Sequence, residues 1–408
     1  LKNMSSTSKA SQRINALLDD NSFVEIGALV TARATDFDLK QAETPSDGVI
    51  TGYGVIDGNL VYVYSQDASV LGGSVGEMHA KKIANLYDLA MKMGAPVIGL
   101  IDSAGLRLQE GADALNAFGE IYKKQVDASG IIPQITAIFG NCGGGLAVFP
   151  TLTDFTFMES TKAKLFVNSP NAIDGNEISK CDTSAAAFQS EEAGIVDVVA
   201  DEATIYAQIR ELISYLPANC DDDAVADCED DLNRVAAELA NCVGDTAIAL
   251  SQIADDMAFF ETKANYGKSM VTGFIRLDGM TIGCVANRTE IYDEEGKLVE
   301  KLDAVLTPAG CEKAAEFIKF CDAFEIPVLT LTNVKGFASC TCAEKKMAKA
   351  VAKLTYAFAD ATVPKVNVII GQAYGSAYVA MNSKAIGADV TFAWPTAEIG
   401  SMDAKHAA

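Results

Sequence analysis

Apolar and polar positions alternate along this chain so as to separate short strands from helices. Residues 11–22 read as an amphipathic helix ending at Asp19-Asp20-Asn21, and Ser22 to Leu29 reads as a strand. From Gly48 the β-branched runs Val49-Ile50-Thr51 and Val55-Ile56 meet a turn at Asp57-Gly58 and resume as Leu60 to Tyr64, the punctuation of a hairpin. Glu77 to Met93 places Met78, Ile83, Leu86, Leu89 and Ala90 near helical spacing. Ala95 to Ile101 comes next as a buried strand, and a charged loop begins at Asp102. Strands and helices alternating at this length predict an α/β fold with largely parallel strands.

The same series is then written a second time. Val271 to Gly279 and Met280 to Val285 repeat the hairpin, and a helix over 311–324 with a strand over Ile326 to Leu331 repeats the helix and buried strand of the first copy. Lys82, Ala84, Pro96, Leu100, Gly105, Pro133, Gly140 and Gly144 recur at one constant offset as Lys313, Ala315, Pro327, Leu331, Gly336, Pro364, Gly371 and Gly375. One unbroken offset over so long a span reads as a tandem duplication. The expected halves are 1–215 and 255–408, joined by an acidic linker with a helix over 216–254.

At 408 residues and 49% apolar composition the chain can bury two cores. A net charge of −23 argues against nucleic acid and anionic membrane surfaces as partners. The longest uncharged run, Ala128 to Thr153, is broken by Pro133, Pro150 and a glycine cluster, so it reads as a buried strand and turn rather than a membrane span. No secretory signal opens the sequence, and the start at Leu1 suggests a fragment. Ten scattered cysteines without a CxxC pair point away from a zinc ribbon and towards a reducing cytoplasm. Cys340-Thr341-Cys342 is the closest pair, with a metal or redox role left open.

The duplicated landmark is the turn Gly140-Asn141-Cys142-Gly143-Gly144-Gly145 and its counterpart Gly371-Gln372-Ala373-Tyr374-Gly375-Ser376. Each comes after a hydrophobic strand and precedes a helical run. The first N–H groups of a helix lack internal partners and sit at its positive end. Glycine lets a ligand approach such backbone closely, and two adjacent N–H groups aimed at one point make an oxyanion hole. A turn needed only for tight packing would look the same in one copy; two copies that both keep a small pair favour the oxyanion reading. Gly72-Gly73-Ser74-Val75-Gly76 also satisfies the nucleophile-elbow pattern of hydrolases. Its triad would need one of only two histidines, His79 or His406. Asp102 to Gly111 lies at a strand end, where α/β proteins bind ligands. There Arg107 can meet a ligand phosphate or carboxylate, or salt-bridge Glu110 or Asp102.

These segments resemble the carboxyltransferase subunits of biotin-dependent acyl-CoA carboxylases and decarboxylases. The resemblance rests on Ser46 to Gly52, Val63 to Asp67, Gly72-Gly73-Ser74, Asp102 to Gly111, Cys142 to Gly145, Leu152 to Met158, Phe320 to Phe324, Ala357 to Val366 and Ala393 to Gly400, and spans nearly the whole chain. It implies tandem crotonase-like (ClpP/crotonase) domains, each a ββα superhelix, in head-to-tail dimers and hexamers. It implies a carboxyl group moving between biotin N1 and the α-carbon of an acyl-CoA, with no metal. The family's holes would fall on Gly144 and Gly145 and on Gly375 and Ser376. Substrate would meet Gly72, Gly73, Ser103, Ala104, Gly105, Arg107, Cys142, Gly143, Phe337, Tyr374 and Val379, each active site joining the first half of one subunit to the second half of its neighbour. Deprotonated biotin would take the α-proton, so no protein base is implied. Met91-Lys92-Met93 lacks the flanks of a biotin acceptor, so biotin would arrive on a carboxyl carrier protein, with a biotin carboxylase or a membrane decarboxylase subunit as further partner. The chain departs from the family at Val334 to Glu344, where Lys335 replaces a proline, and at Ile178 to Phe188. Family members also continue past Ala408.

Overall fold

The computed structural model describes residues 8–35, 43–231 and 233–408, so the start at Leu1 lies outside the described residues. The chain divides into two compact units, Leu1–Asp222 and Asp223–Ala408.

The first unit runs α1 (Lys9–Leu17), β1 (Val24–Ile26), β2 (Val49–Ile56), β3 (Asn59–Gln66), α2 (Glu77–Met93), β4 (Val97–Ser103), α3 (Gly111–Ala128), β5 (Gln134–Gly143), α4 (Phe149–Leu152), β6 (Phe155–Glu159), β7 (Lys164–Phe166), α5 (Ala186–Glu191), β8 (Val198–Ala200) and α6 (Glu202–Tyr215). Its sheet has the order β1-β2-β3-β4-β5-β6-β8, with β7 also on β5. The β1–β2 and β2–β3 pairings are antiparallel and the rest are parallel.

The strand expected over Ser22 to Leu29 keeps only three residues, because Gly27 turns the chain with φ +73°. Helix α2 buries a clean stripe at helical spacing, His79, Lys82, Ile83, Leu86, Tyr87 and Ala90, while Met78 and Leu89 are only half-buried. Two polar residues thus stand on the core face. Burying a leucine such as Leu86 is worth about 1.5–3 kcal/mol, whereas a buried lysine is tolerated only when its ammonium finds acceptors. Lys82 finds two, donating to Ser46 O at 2.9 Å and Val49 O at 2.5 Å, which pegs the chain leading into β2. Burial brings its pKa down to about 8.

The second unit contains α7 (Thr246–Ile253), β9 (Phe260–Thr262), β10 (Met270–Leu277), β11 (Met280–Asn287), β12 (Glu290–Tyr292), β13 (Leu298–Lys301), β14 (Val305–Leu306), α8 (Pro308–Ala323), β15 (Val328–Val334), β16 (Gly336–Phe337), α9 (Thr341–Glu344), α10 (Met347–Asp360), β17 (Lys365–Tyr374), α11 (Gly375–Ala380), β18 (Val390–Ala393), β19 (Glu398–Gly400) and α12 (Ala404–Ala407). Its main sheet has the order β18-β17-β15-β11-β10-β9, with β19 also on β17. Within the acidic stretch, Ala226 N donates to Gly279 O at 2.8 Å and Thr281 N to Ala224 O at 3.1 Å, so this segment packs on the β10–β11 hairpin. Helix α8 starts three residues earlier than its apolar pattern suggests: Thr307 caps it by accepting from Gly310 N, and Pro308 takes the first helical position.

The duplication extends to fine structure. Both hairpins turn on an Asp-Gly pair with positive φ, Asp57-Gly58 and Asp278-Gly279. An aspartate receives both turn amides in each case, Asp19 in the first unit and Asp255 in the second. Lys313 repeats the Lys82 peg by donating to Lys263 O and Tyr266 O. Gly52 and Gly273 sit where a Cβ would come within 2.2 Å of a neighbouring carbonyl, Val24 O or Phe260 O, so only glycine lets the edge strand cross there. The tandem α/β architecture of ββα turns expected from the sequence is present in both units.

Candidate active site

In the first unit, β4 and β5 are in parallel register up to Ile101, shift, and resume with Ser103 opposite Cys142. The shift lets β4 run two residues past its apolar stretch, so Asp102 and Ser103 belong to the strand rather than to a charged loop. Ser103 Oγ donates to Gly73 O at 2.7 Å and accepts from Gly105 N at 3.1 Å, while Ala104 N donates to Gly72 O at 2.8 Å. A Cβ on Gly105, whose φ is +95°, would lie 3.6 Å from Gly143 O. Gly72, Gly73, Ser103, Ala104, Gly105, Cys142 and Gly143 are therefore neighbours at the mouth of the turn.

Gly144 carries the reversal with φ +64°, and a Cβ there would meet nothing within 4 Å. A short 3-10 turn over Gly144–Val148 then leads into α4. The leading N–H groups of a helical turn have no partner within it. The hydroxyl of Tyr122 on α3 donates to Gly145 O and fixes the plane of the next peptide. Cys142 is fully buried, and burial pushes its thiol well above the ordinary range, so it contributes backbone and packing rather than a nucleophile.

Arg107 stands apart from the open turn. Its guanidinium is 3% exposed and meets Asp47 Oδ1 at 2.5 Å, Glu110 Oε1 at 3.0 Å and Ser74 O at 2.7 Å. Of the partners open from sequence it takes Glu110 and adds Asp47; Asp102 instead pairs with Arg13 at 3.0 Å. Burial raises the Asp47 pKa, and Arg107 opposes that rise. Glu110 Oε2 in turn accepts Glu77 N at the start of α2. The arginine thus ties the loop to the helix.

The nucleophile-elbow alternative does not assemble. Ser74 Oγ donates to Leu71 O and accepts from Arg107 Nε, while His79 binds Asp47 O through Nδ1 and faces the Gln66 amide through Nε2. Burial, aided by Arg107, pushes His79 down to about 3. His406 sits in α12 of the second unit, against Asp403.

The second unit rebuilds the same turn. The β15–β17 register shifts between Thr332 and Val334, and Val334 resumes opposite Ala373. Gly375 carries the reversal with φ +61° at the start of α11. Asn333 N donates to Asn287 Oδ1 at 2.9 Å, as Asp102 N donates to Gln66 Oε1 at 3.2 Å. A Cβ on Gly371 would lie 2.6 Å from Asn333 Oδ1, and one on Gly140 would lie 2.0 Å from Asp102 Oδ1. Side chains at 102 and 333 thus fold over their glycines and brace the turn. Ser376 and Val379 lie exposed on α11, and β16 with Phe337 packs against that helix. Tyr374 is buried, with its hydroxyl given to Glu398.

Sequence reasoning missed Tyr122, the Gln66–Asp102 brace and the Asn287–Asn333 brace. For Asp102 and Asn333 a signal existed, because they occupy the same place in the repeat. Beside the first turn a cavity of about 480 Å³ opens against α1, lined among others by Lys9, Arg13, Ser46, Gln66, Ser69 and Asp102. Its lining includes none of the glycines of the turn.

The carboxyl transferase domain family matches residues 5–408. The chain is 41% identical over 411 residues to the propionyl-CoA carboxylase beta chain of Roseobacter denitrificans, covering 98% of this chain and 79% of that one. It is 40% identical over 412 residues to the methylmalonyl-CoA decarboxylase subunit alpha of Propionigenium modestum, covering 96% and 77%. Among solved structures, transcarboxylase 12S with methylmalonyl-coenzyme A and methylmalonic acid bound, described as a hexamer assembly, superposes with a TM-score of 0.91 at 36% identity, over 98% of this chain and 78% of that one.

Proposed function

Because the chain belongs to the carboxyl transferase domain family, we propose that it moves a carboxyl group between N1-carboxybiotin, brought on a separate carrier protein, and the α-carbon of a short acyl-CoA. The observation that carries this reading is the pair of equivalent reversals at Gly144 and Gly375, with φ of +64° and +61°, each at the start of a helical turn. Two oxyanion holes are what this transfer requires. Negative charge develops on the thioester oxygen as the enolate forms, and on the ureido oxygen of biotin as its carboxyl leaves. The amides of Gly144 and Gly145 hold one of these oxygens, and those of Gly375 and Ser376 hold the other. Each donor is worth about 2.7–4 kcal/mol in the transition state.

Neither histidine is placed as a base at the turns: His79 is buried against Asp47 and Gln66, and His406 is bound to Asp403. The α-proton then passes to the ureido nitrogen left by the departing carboxyl, and proton and charge balance without a protein base. Gly72 to Gly73 and Ser103 to Gly105 form the rim that positions the thioester, with Cys142 and Gly143 as its floor. Phe337, Tyr374 and Val379 shape the second turn, and the exposed apolar Val379 suits a small uncharged acyl or ring group. Arg107 acts by holding the rim loop to α2 rather than by touching substrate.

The relatives favour propionyl-CoA and methylmalonyl-CoA as the acyl pair. A biotin carboxyl carrier protein is the partner, together with either a biotin carboxylase or a membrane decarboxylase subunit, and the chain acts as a head-to-tail dimer within a hexamer. No helix among the described residues is long and apolar enough to cross a membrane. The cysteines are all free, which suits a reducing cytoplasm.

The test incubates the protein with malonyl-, methylmalonyl- or glutaconyl-CoA and free biotin, and follows each thioester by mass. Biotin-dependent loss of carboxyl from methylmalonyl-CoA in preference to the others supports the assignment. If all three thioesters survive in protein that binds them, the transfer reading fails.

A further inference from the structure

Two of the ten cysteines, Cys340 and Cys342, face each other with their sulfurs 2.6 Å apart, where an exposed loop of the second unit winds into the first turn of α9. We propose that Cys340 and Cys342 form a dithiol that closes reversibly to an intra-loop disulfide by exchange with a low-molecular-weight disulfide such as oxidised glutathione.

The loop holds the two sulfurs together because both its ends are anchored. Ala338 N donates to Leu306 O at 2.9 Å where β16 ends. At the other end Glu344 N donates to Cys340 O and Lys346 N to Ala343 O, both at 2.9 Å, with the Ala343 side chain buried. Both thiols remain open to solvent, whereas Cys142, Cys284, Cys311 and Cys321 are buried. Chemistry also separates the pair from these four. The neighbouring Cys342 thiol and the Ala343 N–H hold Cys340 below the ordinary thiol pKa, while burial pushes the four buried thiols up. A thiolate is the attacking species in exchange, so Cys340 reacts first. Two sulfurs alone do not make a zinc site, and no group of three or more metal-ligating side chains occurs among the described residues.

The step balances as two successive displacements. Cys340 thiolate attacks the small disulfide, forms a mixed disulfide and releases one small thiolate. Cys342 thiolate then attacks Cys340 Sγ, forms the intra-loop S–S bond and expels the second small thiolate. Two protein thiols give up two protons and two electrons, and the small disulfide is reduced to two thiols.

The experiment equilibrates the full chain with glutathione buffers of graded ratio, quenches with acid, alkylates free thiols and measures the digested peptides by mass. Expected is a peptide spanning 340–342 that is lighter by two hydrogens, carries no alkyl group, and returns to the doubly alkylated form in excess reduced glutathione. Phenylarsine oxide, which bridges paired thiols, should block closure. Closure should vanish in Cys340→Ser and in Cys342→Ser and persist in Cys181→Ser. Separate glutathione adducts on both cysteines, or full alkylation of both at every ratio, would overturn the proposal, as would arsenical binding without disulfide formation.

Discussion

Tyr122 on α3 donates its hydroxyl to the carbonyl of Gly145, so a side chain from the preceding helix braces the turn at Gly144 and Gly145. Its ring also stacks edge-on against Phe149, with centroids 5.8 Å apart. The phenol is therefore held by packing, and its removal isolates the hydrogen bond. A neutral bond of this kind is worth about 0.5–1.5 kcal/mol. Tyr122→Phe should lower kcat for carboxyl transfer by about 2- to 12-fold, with KM for acyl-CoA and the melting temperature nearly unchanged. A KM effect equal to the kcat effect would show that Tyr122 aids binding and not the turn's geometry.

Gly144 and Gly375 offer a matched pair of probes. An alanine at positive φ costs about 1–2 kcal/mol of backbone strain, small enough for the fold to survive. At Gly144 the new methyl meets nothing within 4 Å, whereas at Gly375 it comes within 3.2 Å of Ser401 O. Gly144→Ala should therefore fold with less loss of stability than Gly375→Ala. Both should lose roughly a hundredfold or more in transfer, the loss typical of one oxyanion donor. Thermal melts and steady-state transfer rates on the two variants check this together. Full activity in either would remove that turn from the mechanism.

The architecture was legible where chemistry is periodic. The hairpin at Asp57-Gly58 and the helix over Glu77 to Met93 emerge from spacing alone, and the repeat by itself marks Gly144 and Gly375 as equivalent. What spacing could not show is where polar groups turn inward. Lys82 and Lys313 look like surface charges in a helix, yet each is a buried peg on two carbonyls. Strand β4 outruns its apolar stretch because a register shift, invisible in composition, carries Asp102 and Ser103 into the ladder. The partner of Arg107 lay sixty residues upstream, at Asp47, brought there by the positive φ values of Ser46 and Asp47. Long-range pairing of that kind leaves no local signature.

Arg107 and Asp47 lose their compensation together. Asp47 is fully buried, and breaking a buried pair by removing one partner costs about 3–5 kcal/mol. Arg107→Ala should lower the urea-unfolding free energy by that amount, several times the effect of the exposed pair Lys123–Asp127. Asp47→Asn combined with Arg107→Met, which removes both charges, should recover part of the loss. If Arg107→Ala unfolds within about 1 kcal/mol of the parent, the guanidinium is free for a ligand and the positioning role assigned to it is wrong.

His79 gives the fold a defined acid response. Its pKa lies near 6.5 when unfolded and near 3 in the folded chain, because burial beside Arg107 disfavours the imidazolium. The folded value is the depressed one. Between the two values the unfolded chain binds one proton more than the folded chain, so the contribution of His79 is fully present above 6.5 and is lost as pH falls towards 3. The slope is about 1.4 kcal/mol per pH unit. His79→Gln keeps a polar side chain facing Asp47 O and Gln66 while removing the titration. Urea-unfolding free energies of parent and variant, measured at steps between about pH 7 and 4.5, should therefore converge as pH falls, the parent losing about 1.4 kcal/mol per unit more than the variant. Parallel curves would mean that His79 is protonated within the folded chain, and that its site beside Asp47 and Gln66 opens to solvent.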